Sequence, residues 1–131
     1  MKAKTVLITG ATSGIGKATA YRLAESKMQL IICGRRREVL DEIREDLSQL
    51  TPVISLCFDV SDNNQVIKAI ESLPEDFQNI DMLVNNAGNA HGLDKIQDGN
   101  IDDWDKMIDS NVKGFLYVAK AVIPGMVKKS S

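Results

Sequence analysis

No apolar stretch in this chain approaches the roughly 20 residues a membrane-spanning helix needs. Met1-Lys2 leads straight into a strand-like segment without the apolar core of a signal peptide. A soluble, cytoplasmic protein with no membrane partner is expected. Cysteine is scarce. Cys33 and Cys57 are the only pair, they fall at the ends of predicted strands, and their spacing suits neither a metal site nor a redox couple, so both are expected as buried free thiols with no bound metal. An excess of positive charge is absent too: the formal net charge is -2 and the sequence pI about 5.4. The short basic run before the C-terminal serines does not reverse that balance, which argues against nucleic acid as a partner. Internal repeats, low-complexity tracts and dividing linkers are also missing. What remains, 131 residues of which 44% are hydrophobic, fits one globular domain with enough apolar material for a core.

The most informative segment present is Thr-Gly-Ala-Thr-Ser-Gly-Ile-Gly from Thr9 to Gly16, directly after the apolar run Thr5-Val6-Leu7-Ile8. A glycine cluster between a strand and a helix brings main-chain N–H groups against a pyrophosphate at the positive end of the helix dipole. Gly10 lets the chain leave the strand in a tight turn, Gly14 lets backbone approach phosphate, and Gly16 allows the helix to pack closely. The spacing is G-x-x-x-G-x-G, not the commoner G-x-G-x-x-G. A plain strand-to-helix turn is the alternative, and the rest of the chain has to decide.

Strands and helices alternate. Predicted strands are Lys4 to Thr9, Gln29 to Cys33, Val53 to Phe58 and Ile80 to Asn85, short and rich in Val, Ile and Leu as strands buried on both faces should be. Between them, Ile15 to Ser26 places Ile15, Ala18, Leu23 and Ala24 at helical spacing. Arg36 to Leu50 does so with Val39, Leu40, Ile43, Leu47 and Leu50. Ser61 and Asp62 open a third helix through Val66, Ile67 and Ile70 that ends before Pro74. A helix near Asp102 to Asp109 and a last one from about Val112 to Met126 complete the chain. Alternating units imply an α/β fold with a parallel sheet in the order 3-2-1-4, the N-terminal half of a doubly wound architecture. The fourth strand is then an edge, and the last helix carries more apolar surface than one side of the sheet can cover.

Three further signals fall at the carboxyl edge of that sheet. After the second strand the chain reads Gly34-Arg35-Arg36-Arg37, at the position where an acidic side chain would hold the ribose 2′-OH of NAD. The acid is missing, and Arg35 offers a planar fork of donors to a 2′-phosphate, which implies NADP(H). Arg37 reads as a solvated helix start, and for Arg36 that reading stands beside the ligand one. Asp59-Val60 closes the third strand, where Asp59 either meets the adenine amine or caps the next helix. Asn85-Asn86-Ala87-Gly88 ends the fourth strand with polar groups and a close backbone approach.

Taken in register, the glycine loop, Asp59-Val60, Asn85 to Gly88 and Asn111-Val112-Lys113-Gly114 resemble the short-chain dehydrogenase/reductase family of the compact type. The resemblance covers the whole chain and implies a Rossmann-type fold with NAD(P)(H) held by Gly10, Ser13, Gly14, Ile15 and Gly16. It implies adenine contacts at Asp59 and Val60, ribose contacts around Asn86, Ala87 and Gly88, and basic contacts at Arg35 and Arg36. Thr9, in the family, ties the glycine loop to the Asn86 segment. Sugar-nucleotide epimerases of the extended type use a differently spaced loop and fit less well. Within the family, Gly92 to Asp94 and Asp103 to Asp105 look like the group of NADP-dependent 3-hydroxy acid and serine dehydrogenases, whose substrates are small molecules with a hydroxyl or carbonyl. A homo-oligomer, dimer or tetramer, is implied for a full-length form.

Of the family's catalytic Asn, Ser and Tyr-x-x-x-Lys, the chain matches only the first, at Asn111. Tyr21 is followed by Glu25 and Tyr117 by Ala121 where Lys would be needed, so both are expected to be packing residues on helices. His91, the only histidine, falls in the loop after Gly88, either exposed or lining a substrate mouth. The expectation is a domain truncated before its catalytic Ser and Tyr, inactive alone. The alternative is a natural 131-residue nucleotide-binding or subunit-pairing module without chemistry.

Overall fold

The computed structural model describes residues 3–87 and 96–130. β1 (Thr5–Ile8), β2 (Gln29–Gly34), β3 (Val53–Cys57) and β4 (Met82–Val84) form one parallel sheet in the order β3-β2-β1-β4. Val6, Leu7 and Ile8 of β1 face Leu30, Ile31 and Ile32 on one side and Met82, Leu83 and Val84 on the other. β4 is shorter than its apolar run. Asp81 is spent on the end of β1, where its N–H donates to the Thr5 carbonyl and its Oδ2 accepts from Thr5 N at 2.8 Å.

The period of two in each strand divides the core between two faces. Val6, Ile8, Leu30 and Ile32 point to one side and are covered by α1 (Gly14–Glu25) and α2 (Arg37–Leu47). Leu7, Ile31 and Cys33 point to the other, covered by α3 (Asn63–Glu71) and α5 (Gly114–Ser130) through Val66, Val118 and Val122. Such burial on both faces is what continuous apolar strands require.

Two helices differ from their sequence patterns. α1 lays Gly16, Ala20 and Ala24 on the sheet, not Ile15 and Ala18, and Ile15 is 76% exposed. Small residues win there because the helix rises from a tight loop and packs too close to β1 for a long side chain. α2 ends at Leu47, where the Ser48 hydroxyl turns back to the Arg44 carbonyl at 2.6 Å, leaving Leu50 exposed. The cap of α3 is Asp62, whose Oδ1 accepts from Asn64 N and Gln65 N. Those hydrogen bonds, with the Gln65 side chain leading, hold its carboxyl below the usual range.

α4 (Ile101–Ile108) does not stop at a loop before α5. A π-helical turn at Asp109–Lys113 joins them. Gly114, just after this turn, sits where a Cβ would lie 2.6 Å from Val60 Cγ2. The rod therefore approaches the end of β3 closely.

Both thiols are free, but only Cys33 is buried, and desolvation pushes its thiol well up. Cys57 is half-buried, with its Sγ 3.4 Å from the Arg35 carbonyl. Titration of the native protein with a disulfide reagent should therefore modify Cys57 first, with Cys33 reacting only as the chain unfolds. Equal rates for both would mean that β2 is not central.

Candidate functional site

At the carboxyl edge of the sheet, the loops after β1, β2 and β3 and the segment after β4 enclose a cavity of about 330 Å³. That volume lies at the lower end for a small-molecule site. Gly10, Ser13, Gly14 and Ile15 line it from the first loop, Arg35 and Arg36 from the second, Asp59 and Val60 from the third, and Asn86 and Ala87 from the fourth. Sequence positions spread over more than half the chain thus meet in one place, as an open α/β sheet with this crossover order dictates.

The first loop is shaped by backbone. Gly10 and Gly14 have φ of +62° and +57°, a left-handed region where a side chain is strained. Space above Gly14 is open, with no atom within 4 Å of where a Cβ would be. Ser13 makes no side-chain cap and the first turn of α1 has no acidic residue, whereas α3 and α4 carry Asp62 and Asn100 as caps. The N-terminal amides of α1 thus meet no side-chain cap and no first-turn carboxylate, and the helix dipole leaves positive potential there. This cradle fits a pyrophosphate.

Thr9, fully buried, is the knot between the first and last loops. Its Oγ1 accepts from Asn86 N at 2.8 Å and Ala87 N at 2.9 Å, and donates to Asn85 Oδ1 at 3.2 Å. One hydroxyl donor and two acceptor lone pairs are all used. Asn85 in turn donates from Nδ2 to the Phe115 carbonyl at 2.8 Å, fixing α5 to the same edge. Gly16 lies behind this knot, close against the Gly10 carbonyl and the Asn86 side chain.

Asp59 is not the cap of α3. Its Oδ1 accepts from Ser61 N at 3.0 Å and Ser61 Oγ at 2.7 Å, and its own N–H donates to Gln65 Oε1. The carboxylate is thereby held at the cavity wall. Asn111 stands in the π-turn, beside Ser110, which is buried and lines the cavity. Gly88 and His91 lie outside the described residues, as do Gly92 to Asp94.

Sequence reading missed Thr12, Cys33, Phe58 and Ser110 on the lining, Cys33 being read only as a buried thiol. Phe58 and Ser110 each adjoin a residue that was singled out, so adjacency was their signal. Thr12 lies within the glycine loop, and the partner that shows its role is Arg36, whose Nη2 donates to Thr12 Oγ1 at 3.2 Å. Tyr21 is committed elsewhere: its hydroxyl donates to Asp46 Oδ2 at 2.7 Å, and that bond pushes its pKa up. Tyr117 packs against the core beneath α5. Among the described residues no group of side chains could hold a metal ion, and no helix is long and apolar enough to cross a membrane.

The family model described as short chain dehydrogenase matches residues 4–131. The chain belongs to the short-chain dehydrogenase family. It is similar to sulfoacetaldehyde reductase 2 of Chromohalobacter salexigens, 46% identical over 94% of this chain and 49% of that protein. It is also similar to the NADP-dependent 3-hydroxy acid dehydrogenase of Schizosaccharomyces pombe, 46% identical over 97% of this chain and 50% of that protein. Among solved structures, a closed form of serine dehydrogenase complexed with NADP+ matches with a TM-score of 0.87 and 39% identity, covering 95% of this chain and 50% of the other. The chain thus spans about half the length of the relatives it matches.

Proposed function

We propose that the chain is the cofactor-binding part of an NADP(H)-dependent oxidoreductase acting on a small hydroxy acid, alcohol or the matching carbonyl compound. The observation that carries this reading is the joining of Arg35 and Arg36 with the glycine loop in one cavity, with Gly34 in place of an acidic side chain. Relatives named for NADP and a neighbouring structure complexed with it support the choice.

When bound, the nicotinamide supplies the hydride donor or acceptor. Binding and orientation fall to the chain. Amides at the start of α1 would bind the pyrophosphate, and Asp59 and Val60 would flank the adenine. Asn86 and Ala87 would meet the ribose, and the Arg35 and Arg36 guanidiniums would neutralise the 2′-phosphate. Asn111 is proposed to hold a water in the proton path. With Tyr21 bound to Asp46 and Tyr117 half-buried against the core, neither tyrosine lines the cavity and neither is proposed as the proton donor. The Ser and Tyr-x-x-x-Lys are then carried outside these 131 residues, in keeping with relatives about twice as long, and a homo-oligomer is the assembly proposed for the whole protein.

A subunit-pairing module without chemistry is a second reading. Its support is the apolar surface along α4, the π-turn and α5, where Ile101, Val112, Leu116 and Val127 are each more than half exposed.

Arg35→Asp should weaken NADPH binding by one to two orders of magnitude, about 1–3 kcal/mol, while NADH binding changes little. Fluorescence titration with each cofactor reads this directly. Equal losses for both would show that the 2′-phosphate lies elsewhere.

A further inference from the structure

Gly34 and Arg36 are linked through one side chain. A Cβ at position 34 would lie 2.7 Å from Thr12 Cγ2, well inside contact distance, and 3.7 Å from Thr12 Oγ1. The same Oγ1 accepts the Arg36 Nη2 hydrogen bond at 3.2 Å. A threonine's methyl and hydroxyl branch from one carbon and turn together between staggered positions. Any side chain at 34 that displaces the methyl therefore swings the hydroxyl and releases Arg36. Leu40 Cδ1, at 3.5 Å, closes another side of the space, and all of this happens on the cavity wall that Thr12, Gly34 and Arg36 line.

We infer that Thr12 is a positioning residue that couples the missing side chain at position 34 to the placement of Arg36, and so sets the preference for a 2′-phosphorylated cofactor. The inference rests on the NADP(H) reading above. It makes the selectivity a property of Thr12, Gly34 and Arg36 together: Arg36 loses its aim when either the Thr12 hydroxyl or the glycine is changed. Serine at position 12 keeps the hydroxyl and gives up the methyl, whereas valine keeps the bulk and gives up the hydroxyl. These variants separate the two halves of the lever.

The test is titration of the protein with NADPH and, separately, NADH. Thr12→Val should weaken NADPH binding about five-fold, the worth of one ordering hydrogen bond, and leave NADH unchanged. Thr12→Ser should stay within about two-fold of the parent for both cofactors. Gly34→Ala should weaken NADPH binding by the same factor as Thr12→Val, and adding Thr12→Ser to it should restore most of the loss, because the clashing methyl is gone. A Thr12→Val variant that binds NADPH like the parent overturns the inference while the parent's own NADPH preference stands. So does a double variant no better than Gly34→Ala. Thr12→Val that loses both cofactors alike makes Thr12 a loop-building residue and overturns it too. A parent that binds both cofactors equally overturns the NADP(H) reading itself, and the inference with it.

Discussion

Thr9→Val should lower the free energy of unfolding by about 3 kcal/mol, because it removes a hydroxyl that is saturated on every side and leaves the volume nearly unchanged. The Asn86 and Ala87 N–H groups lose their acceptor, and Asn85 Oδ1 loses a donor. An unsatisfied buried N–H costs about 1–3 kcal/mol, so about 2–6 for the two, and because these lie at half-buried residues the sum falls in the lower half of that combined range. Valine fills the same space and repairs none of it. The effect is also functional, since Thr9 holds one wall of the cavity against another: Asn86 and Ala87 line the site, and the hydrogen bond that Asn86 Nδ2 gives the Gly10 carbonyl is a long one at 3.5 Å. Cofactor affinity should fall with stability. Urea unfolding of Thr9→Val beside Thr9→Ser separates the causes, because serine loses only a methyl, about 1 kcal/mol. If both cost the same, the hydroxyl bonds are replaced by water and the knot is weaker than its geometry.

Strands and their order were legible because strands buried on both faces leave nearly unbroken apolar runs, and a glycine loop after the first such run fixes which edge carries the site. Gly10, Gly14, Arg35, Asp59 and Asn86 could be named for that reason, whereas Ser13 followed from the family resemblance. What was illegible has a common cause. Hydrophobic periodicity gives weight to large side chains, whereas the face of α1 on the sheet is made of Gly16, Ala20 and Ala24 and leaves Ile15 outside. The π-turn at Asp109–Lys113 is a matter of backbone hydrogen-bond register, which side-chain pattern does not record, and such turns often occur at functional positions. The Leu50 end of α2 was lost to a serine that bonds to its own helix. Thr12 was missed because its meaning lies in two neighbours, Gly34 and Arg36, that are distant in sequence.

Gly16→Ala is where local propensity and tertiary packing make opposite predictions. Alanine in a helix is favoured over glycine by about 0.5–1 kcal/mol, so Gly16→Ala read from α1 alone should stabilise. Against that, the added Cβ would run into the Gly10 carbonyl oxygen and come within 2.7 Å of Asn86 Nδ2 and 2.8 Å of the Gly10 carbonyl carbon. Two of those atoms are backbone, and Gly10 is already held in left-handed geometry with its own would-be Cβ 3.0 Å from the Asn86 carbonyl. The loop has no soft direction in which to yield, so α1 must tilt away or the loop must open. Overpacking of this kind costs about 3 kcal/mol or more, which exceeds the propensity gain. NADPH affinity should drop more than ten-fold with it, since about 1.4 kcal/mol of displaced amide geometry is enough for that factor. Gly14→Ala is the internal control: its Cβ would meet nothing within 4 Å, so only the strain of positive φ remains, about 1–2 kcal/mol. Thermal or urea unfolding of the two variants should therefore rank Gly16→Ala well below Gly14→Ala. The reverse order would mean that the first loop is free to move off β1, and that its close packing on the Asn86 segment is not what holds the site together.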